Sequence, residues 1–407
     1  MTHRPGHKAA WTIGDQGVSS ATNFVFTLTC ARLLTPRDFG MIALFQAGYA
    51  LALGVSLAYG ALPLLFRYSP DGPQELISKA PMAVRLVLGS AVLTWPLATA
   101  VILTNRGTGS LAAGFLLLGL PLLLAQDFLR YLYFGIGKAD VAFAMDFVWL
   151  CSTGTFVVIA VWSGQRTSAT LMACWVSGGA LSALFGLLFS GMNLLERHPG
   201  WLHDNVRLGS QLLVEVLAAN ATSYVSLFGL SLLGGPIQVG RVRVAQTLLG
   251  PLATAAQAAN LVATPRIAAE ARNVLKLRRT VNQWSSVQVL IAASWTIAII
   301  FLPSGIGTFV LRDAWTGVRS LTVILGLSAV ANGFSAGPIL GLRALDQAGR
   351  NVRIRLALAI PVVLTCSLGA AWRGANGYAY GCLLAGVVLA IASMTSFRVS
   401  AASMPDE

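Results

Sequence analysis

The chain has 407 residues, of which 56% are apolar and only 11% are charged, less than half of the roughly 25% charged content of an ordinary soluble domain. So few charges cannot cover a water-soluble particle of 42.8 kDa, which points to an all-α integral membrane protein and excludes a cytosolic enzyme, a disulfide-stapled secreted domain and a disordered chain. The 28 Lys+Arg outnumber the 15 Asp+Glu, but they fall between apolar runs, where the positive-inside rule places them, so no nucleic-acid partner is expected.

A helix needs about 20 mostly apolar residues to cross the hydrocarbon core. The first such stretch, about 11–34, follows a basic start and carries Asp15, Gln16 and Asn23; it is too long for a cleaved signal peptide and is expected to be a retained span. Eleven more follow at about 40–66, 82–103, 111–134, 140–162, 169–192, 208–233, 237–263, 284–303, 319–341, 355–371 and 376–397. Turn and breaker residues separate them, among them Thr35-Pro36-Arg37-Asp38, Gly234-Gly235-Pro236 and Arg373-Gly374-Ala375-Asn376, and no connection is long enough for an extramembrane catalytic domain. With the N-terminus inside, nineteen of the 28 basic residues lie on the inner side, an asymmetry that predicts both termini in the cytoplasm. Cys30, Cys151, Cys174, Cys366 and Cys382 all lie in apolar runs without paired spacing, so they are expected to be packing residues, with neither a disulfide nor a metal site. No cofactor is expected.

The sequence repeats weakly at a spacing of 200. ATNFVFTLTCARLLTPRDFGMIALFQ from Ala21 aligns without gaps on ATSYVSLFGLSLLGGPIQVGRVRVAQ from Ala221, sharing Thr22/Thr222, Pro36/Pro236, Gly40/Gly240 and Gln46/Gln246 among others, while Asp15 faces Glu215. Spans 1–2 matching spans 7–8 imply a repeated six-helix unit of parallel topology. The expected organisation is an N-terminal lobe, residues 1–200 with spans 1–6, and a C-terminal lobe, residues 201–407 with spans 7–12, enclosing a cavity. At 100° per residue, Asp15, Ser19, Thr22 and Thr29 share one arc of span 1. Glu215, Thr222 and Ser226 share the matching arc of span 7, and Arg243, Gln246, Gly250, Thr254 and Gln257 share a face of span 8. Polar stripes on membrane helices line protein or water, which makes spans 1, 7 and 8 the expected pathway.

Three segments carry a family resemblance: Asp15-Gln16-Gly17, Ala31-Arg32-Leu33-Leu34-Thr35-Pro36-Arg37-Asp38-Phe39-Gly40, and Arg241-Val242-Arg243-Val244-Ala245-Gln246-Thr247-Leu248-Leu249-Gly250-Pro251. They resemble the Wzx-type O-antigen and capsule flippases of the MOP superfamily, which also holds the MATE exporters. The resemblance implies a multi-pass protein of the bacterial cytoplasmic (inner) membrane. It would turn an undecaprenyl-diphosphate-linked oligosaccharide between leaflets by alternating access, with a polysaccharide polymerase and glycosyltransferases as working partners and no catalytic residues. An anionic diphosphate suits the fixed fork of arginine, and sugars suit hydroxyls and amides.

The expected substrate-binding residues are Arg243, Gln246, Gln257, Thr22, Thr222 and Arg32. Arg32 sits at a helix end, where it either snorkels to the interface or lines the cavity. Arg241 points about 200° from Arg243 and cannot line the same wall. By the same resemblance Asp15 and Glu215 would bind a coupling proton or sodium ion; each also lies within about two turns of its cytoplasmic helix end, where the alternative is a solvated or salt-bridged carboxylate. Asp127 and Arg130, one turn apart in span 4, with Asp146 in span 5, form either a structural ion pair between helices or part of a cytoplasmic gate. The basic stretch Arg266–Arg279 is a topology signal with a secondary attraction to anionic membrane lipids. The competing readings are a MATE-like cation-coupled multidrug exporter, which would want an acidic, aromatic cavity, a membrane-bound enzyme, which would want a large loop or a His/Asp/Glu constellation, and a lipid II flippase, which would want two further spans.

Overall fold

The apolar runs fold into helices throughout a computed structural model that describes residues 5–68, 71–104, 107–192, 201–270, 273–311, 314–345 and 347–402; of these, the side chains of 5–13, 16, 215, 218–220, 258, 261, 262, 265, 268, 310, 314, 316 and 348 lie outside the description. The elements in chain order are α1 (Pro5–Leu33), α2 (Pro36–Ser56), a π turn (Leu57–Ala61), α3 (Leu62–Tyr68), α4 (Pro73–Val92), α5 (Trp95–Thr104), α6 (Thr108–Gly135), α7 (Ala139–Trp162) and α8 (Ser168–Ser190). They continue as α9 (Trp201–Gly234), α10 (Pro236–Leu248), α11 (Gly250–Ala269), α12 (Val274–Ile300), α13 (Ser304–Leu311), α14 (Ala314–Ala344) and α15 (Ala348–Ala402). Every predicted span falls on a helix. Eight segments among the described residues are long and apolar enough to cross a membrane, the last of them, Gly349–Ala402, having 54 residues. The predicted spans 11–34, 208–233 and 237–263, helical as α1, α9 and α10 with α11, are not among the eight.

Local chemistry explains where the helices start and break. Thr35 caps α2: its Oγ1 accepts the Asp38 amide at 3.2 Å and donates to Asp38 Oδ2 at 2.7 Å, with Pro36 at the first helical position. Thr35→Ala is expected to destabilise the α2 start by about 1 kcal/mol, read as a fall in melting temperature, with Thr35→Ser near native. Pro236 opens α10 as Pro36 opens α2, so both helices begin 200 residues apart, at the spacing of the sequence repeat.

Two spans expected to be continuous are interrupted. Pro96 and Pro251 lack the N–H that would continue the ladder, and the helix breaks just before each, at Leu93-Thr94 and at Leu249. The indole N–H of Trp295 then donates to the Leu248 carbonyl at 3.1 Å, and at the other break Thr94 Oγ1 donates at 3.1 Å to the Leu117 carbonyl of α6, which Pro121 leaves without its helical donor. Likewise the π turn hands the Tyr59 carbonyl to the indole N–H of Trp201 at 3.1 Å. Such side-chain donors are needed where no water reaches the backbone.

The chain forms two compact units, Met1–Leu217 and Ala218–Glu407. The division falls inside α9, because the first turns of α9 belong to unit 1: besides the Trp201 bond, Arg67 donates to the Asp204 carbonyl at 2.9 Å and Tyr59 Oη lies 3.1 Å from Ser210 Oγ. In unit 1, Leu124, Phe128 and Tyr133 of α6 pack on Leu76, Val84 and Val87 of α4 and on Met145 of α7. Tyr133 Oη donates to the Gly186 carbonyl of α8 at 2.7 Å, and Ser182 Oγ to Met145 at 2.7 Å. Apolar burial does little to join helices surrounded by lipid, so close packing and such interhelical bonds, each about 0.6 kcal/mol, do the holding.

Unit 2 packs Ile267, Val281, Leu342 and Phe397 together from α11, α12, α14 and α15. The long α15 is two arms: Arg373 (φ −135°) and Gly374 (φ +57°) leave the helical region, and the second arm's first amide, that of Ala375, donates to Gln238 Oε1 of α10 at 3.1 Å. Only glycine takes the positive φ at position 374 without strain. A Cβ at Gly377 would overlap the Gly369 carbonyl, so the arms fold back antiparallel with their backbones in contact.

Candidate functional site

Unit 1 gathers four of its polar intrahelical side chains around Arg130 of α6. Nη2 meets Asp15 Oδ2 of α1 at 3.0 Å, Nη1 meets Asp127 Oδ1 one turn back at 3.2 Å, and Nε lies 3.5 Å from Asp146 Oδ2 of α7. Gln126 Nε2 donates to Asp146 Oδ1 at 2.9 Å. Asp15 and Asp146 are each 1% exposed, so the cluster sits in protein, away from bulk water. Three carboxylates against one guanidinium leave two negative charges in excess when all are ionised. Asp15 Oδ1, Asp127 Oδ2 and Asp146 Oδ2 accept no hydrogen bond among the described residues. Such an excess is costly at low dielectric, which makes the group a natural acceptor of a proton or small cation. The aromatic wall nearby is built on Trp175, which stacks on Phe26 and meets Tyr49 and Trp149 with ring centroids 5.4–6.0 Å away.

Unit 2 encloses a separate cavity of about 480 Å³ between α9, α10–α11, α14 and both arms of α15. Its polar lining is Thr222, Ser226, Gln246, Asn332, Arg355 and Tyr378, joined by smaller hydroxyls and by Cys366 and Cys382, and it contains no carboxylate among the described residues. Ser328 Oγ bonds the Cys382 carbonyl at 3.0 Å and Ser226 Oγ the Thr222 carbonyl at 2.7 Å, so these hydroxyl oxygens keep lone pairs for a ligand. Leucines and alanines of the same helices, with Val362, form the remaining wall. A cationic, hydroxyl-rich and amide-rich chamber accepts an anionic, hydroxylated group.

The fold has solved counterparts. A multidrug-resistance MATE-family transporter of the MOP superfamily, in an inward-facing conformation, matches with a TM-score of 0.77 at 15% identity over 96% of this chain and 98% of that one. The fold is MATE-like. The outward-facing conformation of such a transporter gives 0.68 at 16% identity over 99% and 97% of the two chains. A MOP-superfamily transporter from Pyrococcus furiosus Vc1, described as having a binding pocket of reverse polarity that suggests a different function, gives 0.66 at 16% identity over 97% and 94%. No family model and no curated protein matches the chain.

Within this MATE-like framework the expected site residues divide. Thr222 and Gln246 line the unit 2 cavity. Arg243 shares their unit but is not in the cavity wall, whereas Arg241, predicted to point elsewhere, donates to the Gly317 carbonyl of α14 at 2.9 Å. Gln257 is exposed on α11. Thr22 and Arg32 belong to unit 1, where Thr22 Oγ1 is turned back onto the Val18 carbonyl at 2.8 Å and Arg32 is exposed at the end of α1. Asp127, Arg130 and Asp146 meet as the sequence suggested, and Asp15 joins them. The Glu215 side chain lies outside the described residues, as does Arg272 of the basic stretch, in which Arg266 lies 5.9 Å over the Trp284 ring.

Sequence reasoning missed Arg355, Asn332 and Tyr378. Arg355 opens the predicted span 355–371, and Arg355, Ala359, Val362 and Cys366 recur at helical spacing and all reach the cavity. Ser328 and Asn332 make a similar stripe, four residues apart on α14. Both signals were present, as a polar residue heading a small-residue face.

Proposed function

We propose that this protein is a flippase that carries a polyprenyl-diphosphate-linked oligosaccharide across the bacterial cytoplasmic membrane by alternating access. A cavity headed by Arg355, with no carboxylate among the described residues that line it, is the observation that carries this reading. Arg355 pairs with the diphosphate, while Thr222, Gln246, Asn332 and Tyr378 bond the sugars, and the lipid tail stays in the bilayer. No bond is made or broken, so the protein works as a transporter and needs no catalytic residue. Both termini lie in the cytoplasm in this reading, and glycosyltransferases and a polymerase supply and consume the cargo. Asp15, with Asp127 and Asp146 around Arg130, is the coupling and gating group, its excess negative charge binding the proton or sodium ion that drives the cycle.

The test is flipping of a fluorescent lipid-linked oligosaccharide in proteoliposomes. Arg355→Ala is expected to lower the rate at least ten-fold, since a charge-assisted bond to phosphate contributes about 1.5–3 kcal/mol, and Arg355→Lys to recover part of it. An unchanged rate in Arg355→Ala sinks the assignment of that residue. The three-carboxylate cluster favours one second reading, a MATE-like cation-coupled multidrug exporter. Export of organic cations that Asp15→Asn abolishes, with no flipping in the wild type, would decide for it.

A further inference from the structure

We propose that Cys366 and Cys382 form a thiol pair that a peroxide oxidises to a disulfide, covalently pinning the two arms of α15 at the cavity wall. The two Sγ atoms lie 3.7 Å apart, in van der Waals contact and about 1.7 Å from the S–S bond length. Their separation of sixteen residues matches no paired motif. What brings them together is the glycine seam of the hairpin. Gly369 and Gly377 put the arms' backbones in contact, and a Cβ at Gly381 would stand 2.7 Å from Cys366 Cα. The pairs 369/377 and 366/382 straddle the Arg373-Gly374 turn almost symmetrically, so the sulfurs face each other across this close crossing.

Access comes from the cavity. Both cysteines line it, Cys366 buried and Cys382 half-buried, beside Ser226 and Tyr378, so a small polar oxidant that enters the chamber reaches the pair. Cys30, Cys151 and Cys174 all belong to unit 1. In the reaction the more accessible Cys382, as thiolate, attacks the O–O bond of hydrogen peroxide, forming an S–O bond and releasing hydroxide, which takes up the thiol proton as water. Cys366 then attacks that sulfenic sulfur; the S–S bond forms, the S–O bond breaks, and the hydroxyl leaves with the Cys366 proton as a second water. One peroxide and two thiols thus give one disulfide and two waters. Arg355 and Val362 stand on the first arm and Tyr378 and Gly386 on the second, so the bridge fixes opposite sides of one chamber and holds its wall in a single arrangement.

The experiment treats the full-length protein in proteoliposomes with hydrogen peroxide, alkylates the remaining thiols and maps the peptides by mass spectrometry. The expected result is loss of two of the five thiols together, a peptide joined through Cys366 and Cys382, and full recovery with dithiothreitol. Gly377→Val, which separates the arms, is expected to slow the joining at least ten-fold, and Cys366→Ser to leave Cys382 as a sulfenic acid that dimedone traps. Recovery of Cys366 and Cys382 as free alkylated thiols while Cys151 is oxidised would overturn the proposal. The peptide map stands whether or not the cargo of the preceding section is right. Where transport is measurable, oxidation should reduce it at least ten-fold and dithiothreitol restore it, with peroxide sensitivity absent in Cys366→Ser; a complete bridge with undiminished transport would overturn the pinning.

Discussion

Arg130→Ala is expected to destabilise unit 1 by about 3–5 kcal/mol, the cost of leaving buried charges without their partner. Asp15 and Asp146 cannot turn to solvent, being held at 1% exposure on two different helices, and Asp127 stands on the same helix as the lost guanidinium. A melting temperature lower by on the order of 10 °C follows for a unit of this size. The fall should be largely recovered when Asp15→Asn and Asp146→Asn are added, because the amides remove the uncompensated charge while keeping the shape. Arg130→Lys should recover little, since a single ammonium cannot reach three carboxylates on α1, α6 and α7 with the spread of a guanidinium. Thermal unfolding in detergent, followed by tryptophan fluorescence, measures the three variants against the native protein. An Arg130→Ala protein that melts within about 1 kcal/mol of the native one would mean that the cluster is solvated or already neutral.

The second large effect is expected in unit 2 at Gly377. Any side chain there meets the Gly369 carbonyl, and backbone cannot swing aside as a flexible side chain can. Gly377→Val should therefore force the α15 arms apart and cost about 3 kcal/mol, at the upper end for overpacking. The control is Gly154→Ala on α7, where nothing lies within 4 Å of the new methyl; there the better helix propensity of alanine should raise stability by up to about 1 kcal/mol. Equal melting temperatures for the two variants would contradict the close crossing.

The helices themselves were legible because apolar length is a strong signal: each predicted span lies on a helix, and Pro36 and Pro236 open α2 and α10 at the predicted spacing. Pairing at short range was legible too, as with Asp127 and Arg130 one turn apart. The partner of Arg130 on α1 was not, because 115 residues separate it from Asp15 and helical angles say which face is polar without saying what that face meets. The angular argument set Arg243 and Gln246 on one face, away from Arg241, and assumed that all of one stripe reaches one cavity; of that stripe Gln246 lines the unit 2 cavity. Gln257 lies beyond the break at Leu249, where the register of an unbroken rod is lost, and Arg243, on the same α10 as Gln246, stays outside the cavity wall, because one turn of a helix covers more than one wall. The Cys366–Cys382 contact was invisible for a different reason: it depends on backbone proximity at glycines, which carry no side-chain pattern to read.

The two-residue joint between the arms of α15 bears on how the chain is made. With only Arg373 and Gly374 outside helical geometry, and the second arm's first amide already bonded to Gln238, there is no spare chain for one arm to enter the bilayer and wait for the other. Both arms must insert together as a helical hairpin, carrying its tip from one face of the bilayer to the other. That tip bears a guanidinium, and a charge at the bilayer centre costs about 2.5–3.5 kcal/mol on insertion scales. Leu356, Leu358, Ile360, Val362, Val363 and Leu364 of the first arm, at roughly 0.3–0.6 kcal/mol each, nearly offset it before the second arm contributes. Arg373 travels 4.4 Å over the Trp372 ring, a partner suited to the interface on arrival. The last two spans are thus one unit of biogenesis, and a truncation between them would leave a charged end with no second arm to draw it across.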